Sequence, residues 1–188
     1  LQVGHIYLLV LVVDVVCGPL LTLIVASPKK SRRERWLDFS LIGAIQLVAL
    51  AYGMYSVWVA RPVVLAFEVD RLVVVTANEV QVEALSTAPT GVQSLPWVGV
   101  RKVGTRKAAN NAEMLSSLDQ ELAGISPAMR PDWWLPWADA REGMRSRAKP
   151  LAELIARRPE AAATLQAATK SAGHAVKDLT YLPLVSSK

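Results

Sequence analysis

The chain has 188 residues, of which 52% are hydrophobic and only 20% charged, and its mean hydropathy is +0.28. That composition excludes disorder and a collagen-like chain, and the single cysteine, Cys17, excludes an intrachain disulfide and a cysteine-based zinc site. The net charge of +5 does not point to nucleic acid, because five of the 21 basic residues sit in one ten-residue stretch and the rest are mixed with acids.

The apolar residues are concentrated in two runs. The first covers residues 5–26, with Asp14 the one charged side chain between Ile6 and Ala26. The second covers 37–60 and has no charge from Phe39 onward. Each is long enough for a helix to cross ~30 Å of hydrocarbon. A signal peptide fits the first run poorly, because its basic residues follow the apolar stretch instead of preceding it. Residues 1–4 form an outer edge, and the start on Leu1 leads us to expect a further segment upstream. Pro19 cannot donate to the carbonyl of Val15, so a kink is expected at Gly18-Pro19.

Asp14 falls near mid-bilayer, where a charged carboxylate costs ~2.5–3.5 kcal/mol on an insertion scale. Tyr7, Gly18 and Thr22 share its face at helical spacing. On the second helix Gln46, Ala49, Gly53 and Ser56 recur every three or four residues, a pattern that lets another helix approach closely. Three accounts remain open. The helices pack on each other as a hairpin, with Asp14 bonded to Gln46 or a tyrosine; one face receives a helix from another protein; or the polar residues line a proton or ion path, which would need more of them than Asp14, His5 and Gln46.

The connection, 27–36, carries Lys29, Lys30, Arg32, Arg33 and Arg35 against one acid, Glu34. Short loops of this composition stay in the cytoplasm, which sends residues 61–188 to the other side. Trp36 and Trp58 flank the second run, where indole rings favour the headgroup layer.

Beyond Arg61 the texture changes. The β-branched runs 62–69 and 71–77 predict two strands joined tightly at Asp70. Residues 78–85 are ambiguous between strand and helix, 86–96 read as loop, and 97–103 as a further strand. A helix is expected from Ala108 to Gly124, with Met114, Leu115, Leu118 and Leu122 in one stripe. The segment 131–173 is helical in composition, interrupted by Pro136, Pro150 and Pro159, and 180–185 predicts a last strand. The fold class is therefore a membrane protein, a transmembrane helical hairpin followed by a small α+β domain.

Reactive chemistry finds little support. His5 and His174 show no metal-ligand spacing, and no P-loop, GxGxxG or GxSxG is present. We expect no enzyme activity, no cofactor, no metal and no small-molecule substrate. Trp133, Trp134 and Trp137 form the cluster WWLPW, which reads either as a partner-binding patch or as domain core.

Residues 4–30, GHIYLLVLVVDVVCGPLLTLIVASPKK, and 46–75, QLVALAYGMYSVWVARPVVLAFEVDRLVVV, resemble the bacterial type IV pilin accessory proteins, as does the late YLPL of 181–184. The resemblance is close to about Asn78 and loose beyond it. It rests on the order and spacing of Asp14, Gly18, Pro19, Pro28, Gln46, Tyr52, Gly53, Arg61, Pro62, Asp70 and Arg71. It implies an inner-membrane accessory protein or chaperone with a periplasmic domain, whose partners are the bilayer and a cognate type IV pilin. Such a protein would shelter the pilin's membrane helix and globular head and promote pilus assembly without catalysis. It also implies another membrane helix upstream and residues beyond the YLPL segment. A non-enzymatic scaffold subunit of an envelope assembly complex is the alternative.

Overall fold

The computed structural model describes residues 31–187. The expected first helix, with Tyr7, Asp14, Gly18 and Thr22, lies outside them, as do Lys29 and Lys30, so of the expected hairpin only the second helix is described. The chain forms two compact units that meet in sequence between Val57 and Trp58.

Helix α1 spans Arg32–Val59 and is long and apolar enough to cross a membrane. It begins five residues before the expected Leu37, because Ser31 and Glu34 form a capping box. The Ser31 N–H donates to Glu34 Oε2 at 2.8 Å, and the Glu34 N–H donates to Ser31 Oγ at 3.3 Å. Arg32, Arg33 and Arg35 therefore belong to the helix's first turn and not to a loop. Cations there oppose the helix dipole, so helix stability is no reason for their presence. Trp36 to Trp58 covers about 33 Å at 1.5 Å per residue, close to one hydrocarbon thickness.

The second unit is built on a mixed five-stranded sheet of order β4 (Trp134–Pro136), β3 (Arg101–Thr105), β1 (Pro62–Glu68), β2 (Arg71–Thr76) and β7 (Leu184–Ser186). Strands β1 (Pro62–Glu68) and β2 (Arg71–Thr76) are the expected antiparallel hairpin. Strand β3 (Arg101–Thr105) runs parallel to β1, with Val64 opposite Arg101 and Phe67 opposite Gly104. Strand β4 (Trp134–Pro136) pairs antiparallel with β3. The crossover from β2 to β3 contains a 3₁₀ turn, Val82–Thr87, and buries Val80, Ala88 and Val92. Because β2 ends beside the start of β1, this connection re-enters the sheet at that same end on the other side of β1, and so β3 runs parallel to β1. The expected strand at 97–103 starts only at Arg101; Gly99, at φ 79°, breaks the extended run before it.

Helix α2 (Asn111–Leu122) starts three residues later than expected, where the Asn110 side chain accepts from the Glu113 N–H at 2.9 Å. The segment 131–173 departs most from its helical composition. Pro131–Trp133 is a 3₁₀ turn and the next residues are β4, because each proline restricts its predecessor to extended backbone. Helices α3 (Arg141–Arg147), α4 (Leu151–Arg157) and α5 (Ala162–Ser171) follow. Strands β5 (Lys149–Pro150) and β6 (Thr180–Tyr181) pair with each other. Strand β7 (Leu184–Ser186) joins β2 in parallel, so the expected final strand is split in two at Leu182-Pro183.

The core gathers Val63, Val64, Ala66, Val73, Val75, Val103, Ala128, Met129 and Trp134. Strand β1 is buried on both faces, which explains its nearly unbroken apolar sequence. Gly104 is dictated by packing, since a Cβ there would collide with the Ala140 methyl. Gly104→Ala should destabilise the protein by about 1–3 kcal/mol through overpacking. A fall in the thermal midpoint of the detergent-solubilised full chain checks this; an unchanged midpoint contradicts it.

Candidate functional site

Two surfaces carry the expected partner-binding residues. On α1, Gln46, Ala49, Gly53 and Ser56 fall within an arc of about 80° at 3.6 residues per turn. Gln46, Ala49 and Gly53 are exposed, and a Cβ built at Gly53 meets nothing within 4 Å. Ser56 returns its hydroxyl to the Tyr52 carbonyl at 2.8 Å, which hides its polarity inside its own helix. The face is thus small and smooth, with Gln46 as its one side-chain amide.

The second surface lies on the outer domain, where the tryptophan cluster divides. Trp134 is 1% exposed and donates Nε1–H to the Ala128 carbonyl at 2.9 Å. Trp133 is 3% exposed. Both belong to the interior, Trp133 at the end of the 3₁₀ turn and Trp134 at the start of β4 opposite Thr105. Trp137 is half-buried, with Lys102 Nζ 6.0 Å from its ring centre.

Trp133 is held between two guanidinium groups. Arg106 Cζ and Arg130 Cζ each lie 4.6 Å from the ring centre. Arg106 forks onto Glu113 at 3.0 and 2.6 Å. Arg130 is buried; its Nη1 donates to Ser117 Oγ at 3.4 Å, and Ser117 Oγ donates to Glu121 Oε1 at 3.2 Å. Glu113, Ser117 and Glu121 recur every four residues, so α2 is fastened to the domain by a polar row.

Its apolar stripe consequently faces outward. Met114, Leu115, Leu118 and Leu122 are between 46% and 88% exposed, the reverse of a core-facing stripe. Met114 and Leu118 wall a groove of about 710 Å³ whose other lining residues include Phe67, Glu68, Val69, Trp133, Leu135 and Ala140. Val69 adopts φ 55° in the β1–β2 turn and is exposed. A β-branched residue is strained there by about 1–3 kcal/mol. The strained residue thus stands at the lip of an open, largely apolar groove. Neither feature was legible in the sequence, although the Glu113-Ser117-Glu121 spacing was the available signal for the inner face of α2.

Glu113 is held down to about 2 by the hydrogen bonds from Arg106, then by the Ala109 N–H. Glu68 moves the other way, raised by burial despite the bond it accepts from the Ala128 N–H. Among the described residues, no three His, Cys, Asp or Glu side chains gather to hold a metal.

A fimbrial assembly protein of Dichelobacter nodosus, serogroup I, is 33% identical over 183 residues, which is 97% of this chain and 71% of that protein. The chain belongs to the fimbrial assembly protein family. The serogroup E1 protein is 33% identical over 177 residues, 94% of this chain and 69% of that protein. The protein of serogroups C1 and C2 is 45% identical over 76 residues, 40% of this chain and 58% of its own. The membership agrees with the resemblance to pilin accessory proteins and supports a role in pilus assembly. No protein-family profile matches the chain, and no solved structure matches it.

Glu113 binds its proton less tightly folded than unfolded. The stability it contributes is therefore present above its ordinary value of 4.5 and is lost as pH falls toward about 2. Glu68 acts oppositely: its contribution is complete below 4.5 and fades as pH rises through its raised folded value. Glu113→Gln should flatten the loss of thermal stability between about pH 4.5 and pH 2. An acid limb unchanged by that substitution would show that the Arg106 clasp does not hold α2. The Asp70 N–H closes a γ-turn onto the Glu68 carbonyl about Val69, so Val69→Gly should raise stability by about 1 kcal/mol, because glycine alone meets no steric penalty at that positive φ; a higher thermal midpoint of the full chain checks this, and a lower one contradicts it.

Proposed function

We propose that this protein is an inner-membrane accessory protein that binds and stabilises its cognate type IV pilin and promotes pilus assembly. The carrying observation is the outward apolar stripe of α2 beside the strained Val69 lip. A helix fastened by its polar side with its leucines in water is the arrangement a protein partner completes. The groove's rim mixes Glu68, Glu121 and Asp139 with Arg106, Lys107 and Arg147, which suits a polypeptide better than a polyanion.

Helix α1 anchors the protein, and the basic residues Lys29, Lys30, Arg32, Arg33 and Arg35 keep its N-terminal end in the cytoplasm, with the outer domain in the periplasm. The small-residue faces around Asp14 and Gly53 receive the pilin's apolar helix within the bilayer. Close van der Waals contact and a polar link supply the specificity there, since apolar burial alone gives little net drive in lipid. The groove receives the pilin head. The family's naming for assembly supports a structural role without catalysis.

Capture of pilin from detergent-solubilised membranes, read by mass spectrometry, tests the reading. Pairing Met114→Asp with Leu118→Asp should lower pilin recovery at least about tenfold, as for central contacts of an interface. Because both side chains are exposed, each change should move stability by no more than about 0.5 kcal/mol. Unchanged recovery would refute the groove, and capture of secretion-machinery proteins in place of pilin would favour the scaffold reading. Asp14→Leu should leave the protein abundant while pilin recovery and surface piliation fall, with Asp14→Asn milder. Loss of the protein itself would assign Asp14 to internal packing. For topology, in a Cys17→Ala background, Lys30→Cys should resist an impermeant maleimide in whole cells and Ser94→Cys should react; the reverse would overturn the orientation.

A further inference from the structure

The loop before β3 has no role in pilin binding as proposed, yet it exposes the most apolar tip in the domain. Trp97 is 78% and Val98 93% exposed. Gly99, at φ 79°, turns the chain back directly after them, so the two side chains form the tip of a bend. An isolated tryptophan in water would be costly, but Trp97 is not isolated. Its ring lies 5.4 Å from that of Trp58, tilted by 54°. Arg61 ties the two segments together: its Cζ sits 3.8 Å over the Trp58 ring, Nη1 donates to the Trp58 carbonyl at 2.8 Å, and Nη2 to the Pro96 carbonyl at 3.3 Å.

Trp58 stands in the last turn of α1, at the end of the apolar span. Where α1 crosses a bilayer, that ring occupies the headgroup layer, and any ring within 5.4 Å of it shares that depth. The charge of the surrounding segment is complementary to such a surface. From Ala84 to Ala112 the chain contains no acid but carries Arg101, Lys102, Arg106 and Lys107. Arg106 is committed to Glu113 and Arg101 donates to the Gly91 carbonyl within the same loop, while the Lys102 ammonium, 6.0 Å from the Trp137 ring centre, follows four residues after Val98. Cations next to an apolar tip favour an anionic headgroup layer.

We infer that the 96–100 loop is a second membrane attachment, with Trp97 and Val98 seated at the boundary of headgroups and acyl chains of the leaflet from which α1 emerges. The inference rests on α1 spanning the bilayer as proposed above. It gives the outer domain a second point of attachment, in the loop that packs against Trp58.

The test uses the full chain in vesicles of phosphatidylethanolamine and phosphatidylglycerol, with a nitroxide at one introduced cysteine in a Cys17→Ala background. Val98→Cys reports the loop, Ile45→Cys the span and Leu122→Cys open solvent. Power saturation with oxygen and a water-soluble nickel chelate gives the depth of each. The expected result is a ratio of oxygen to nickel accessibility at Val98 severalfold above that at Leu122, with Ile45 deeper still. A Val98 label that behaves like Leu122 while Ile45 reads lipid would overturn the loop attachment and leave the span standing. Water-like values at Ile45 as well would overturn both.

Discussion

The arrangement of the outer domain depends on one interaction, the stacking of Trp133 between Arg106 and Arg130. Two guanidinium groups on one indole are tolerable only because each has a polar partner elsewhere. Arg106 is neutralised by a forked contact with Glu113, and Arg130 reaches Ser117 and lies 3.6 Å from Asp132. Glu113 and Ser117 are both on α2, so the two arginines clasp that helix through its polar side. An apolar clasp would have turned the leucines inward and left no surface to bind with. The polar one spends little hydrophobic area on attaching α2 and keeps Met114, Leu115, Leu118 and Leu122 outside. Charge-assisted hydrogen bonds also fix the helix register more narrowly than sliding apolar contacts would.

The same economy governs the β1–β2 turn. A two-residue hairpin connection needs positive φ, and Val69 supplies it at φ 55° although glycine would do so without strain. The side chain thus held outward extends the apolar wall begun by Met114 and Leu118. Local strain and an outward stripe point to one groove by independent routes, one through the backbone and the other through burial.

The sequence disclosed what is periodic and local. The β1–β2 hairpin, helix α2 and the long apolar helix α1 are present close to where their patterns predicted, because strand and helix periods survive in a single window. The helix α1 starts earlier because a capping box, Ser31 to Glu34, outweighs the break in hydropathy at Leu37. The WWLPW segment defeated composition: its prolines and two buried rings make a 3₁₀ turn and a strand, decided by where Trp134 finds the Ala128 carbonyl. The orientation of α2 was hidden for a different reason. A stripe of four apolar residues states only that a face exists. Which way it points was set by Arg106 and Arg130, one on either side of the helix in sequence, and no periodicity encodes their convergence on Trp133.

The parallel pairing of β1 and β3 gives these local features a common direction. Both strands start beside the Trp58–Arg61–Trp97 cluster and end at the groove: β1 leads from Pro62 to Glu68 and Val69, and β3 from Arg101 to Thr105. Six steps along β1 at ~3.3 Å place the groove about 20 Å along the strands from the helix end. An antiparallel β3 would have returned the chain to the opposite end and separated Arg106 from the Val69 turn. Because the pairing is parallel, the residue following β3 is Arg106 itself, delivered to Trp133 and Glu113 at the groove's margin. The connection that carries the chain from β2 past β1 to the start of β3 contains the exposed Trp97–Val98 bend. One topological choice therefore supplies both the apolar tip at one end of the sheet and the arginine clasp at the other, and stiff paired strands fix the spacing between them.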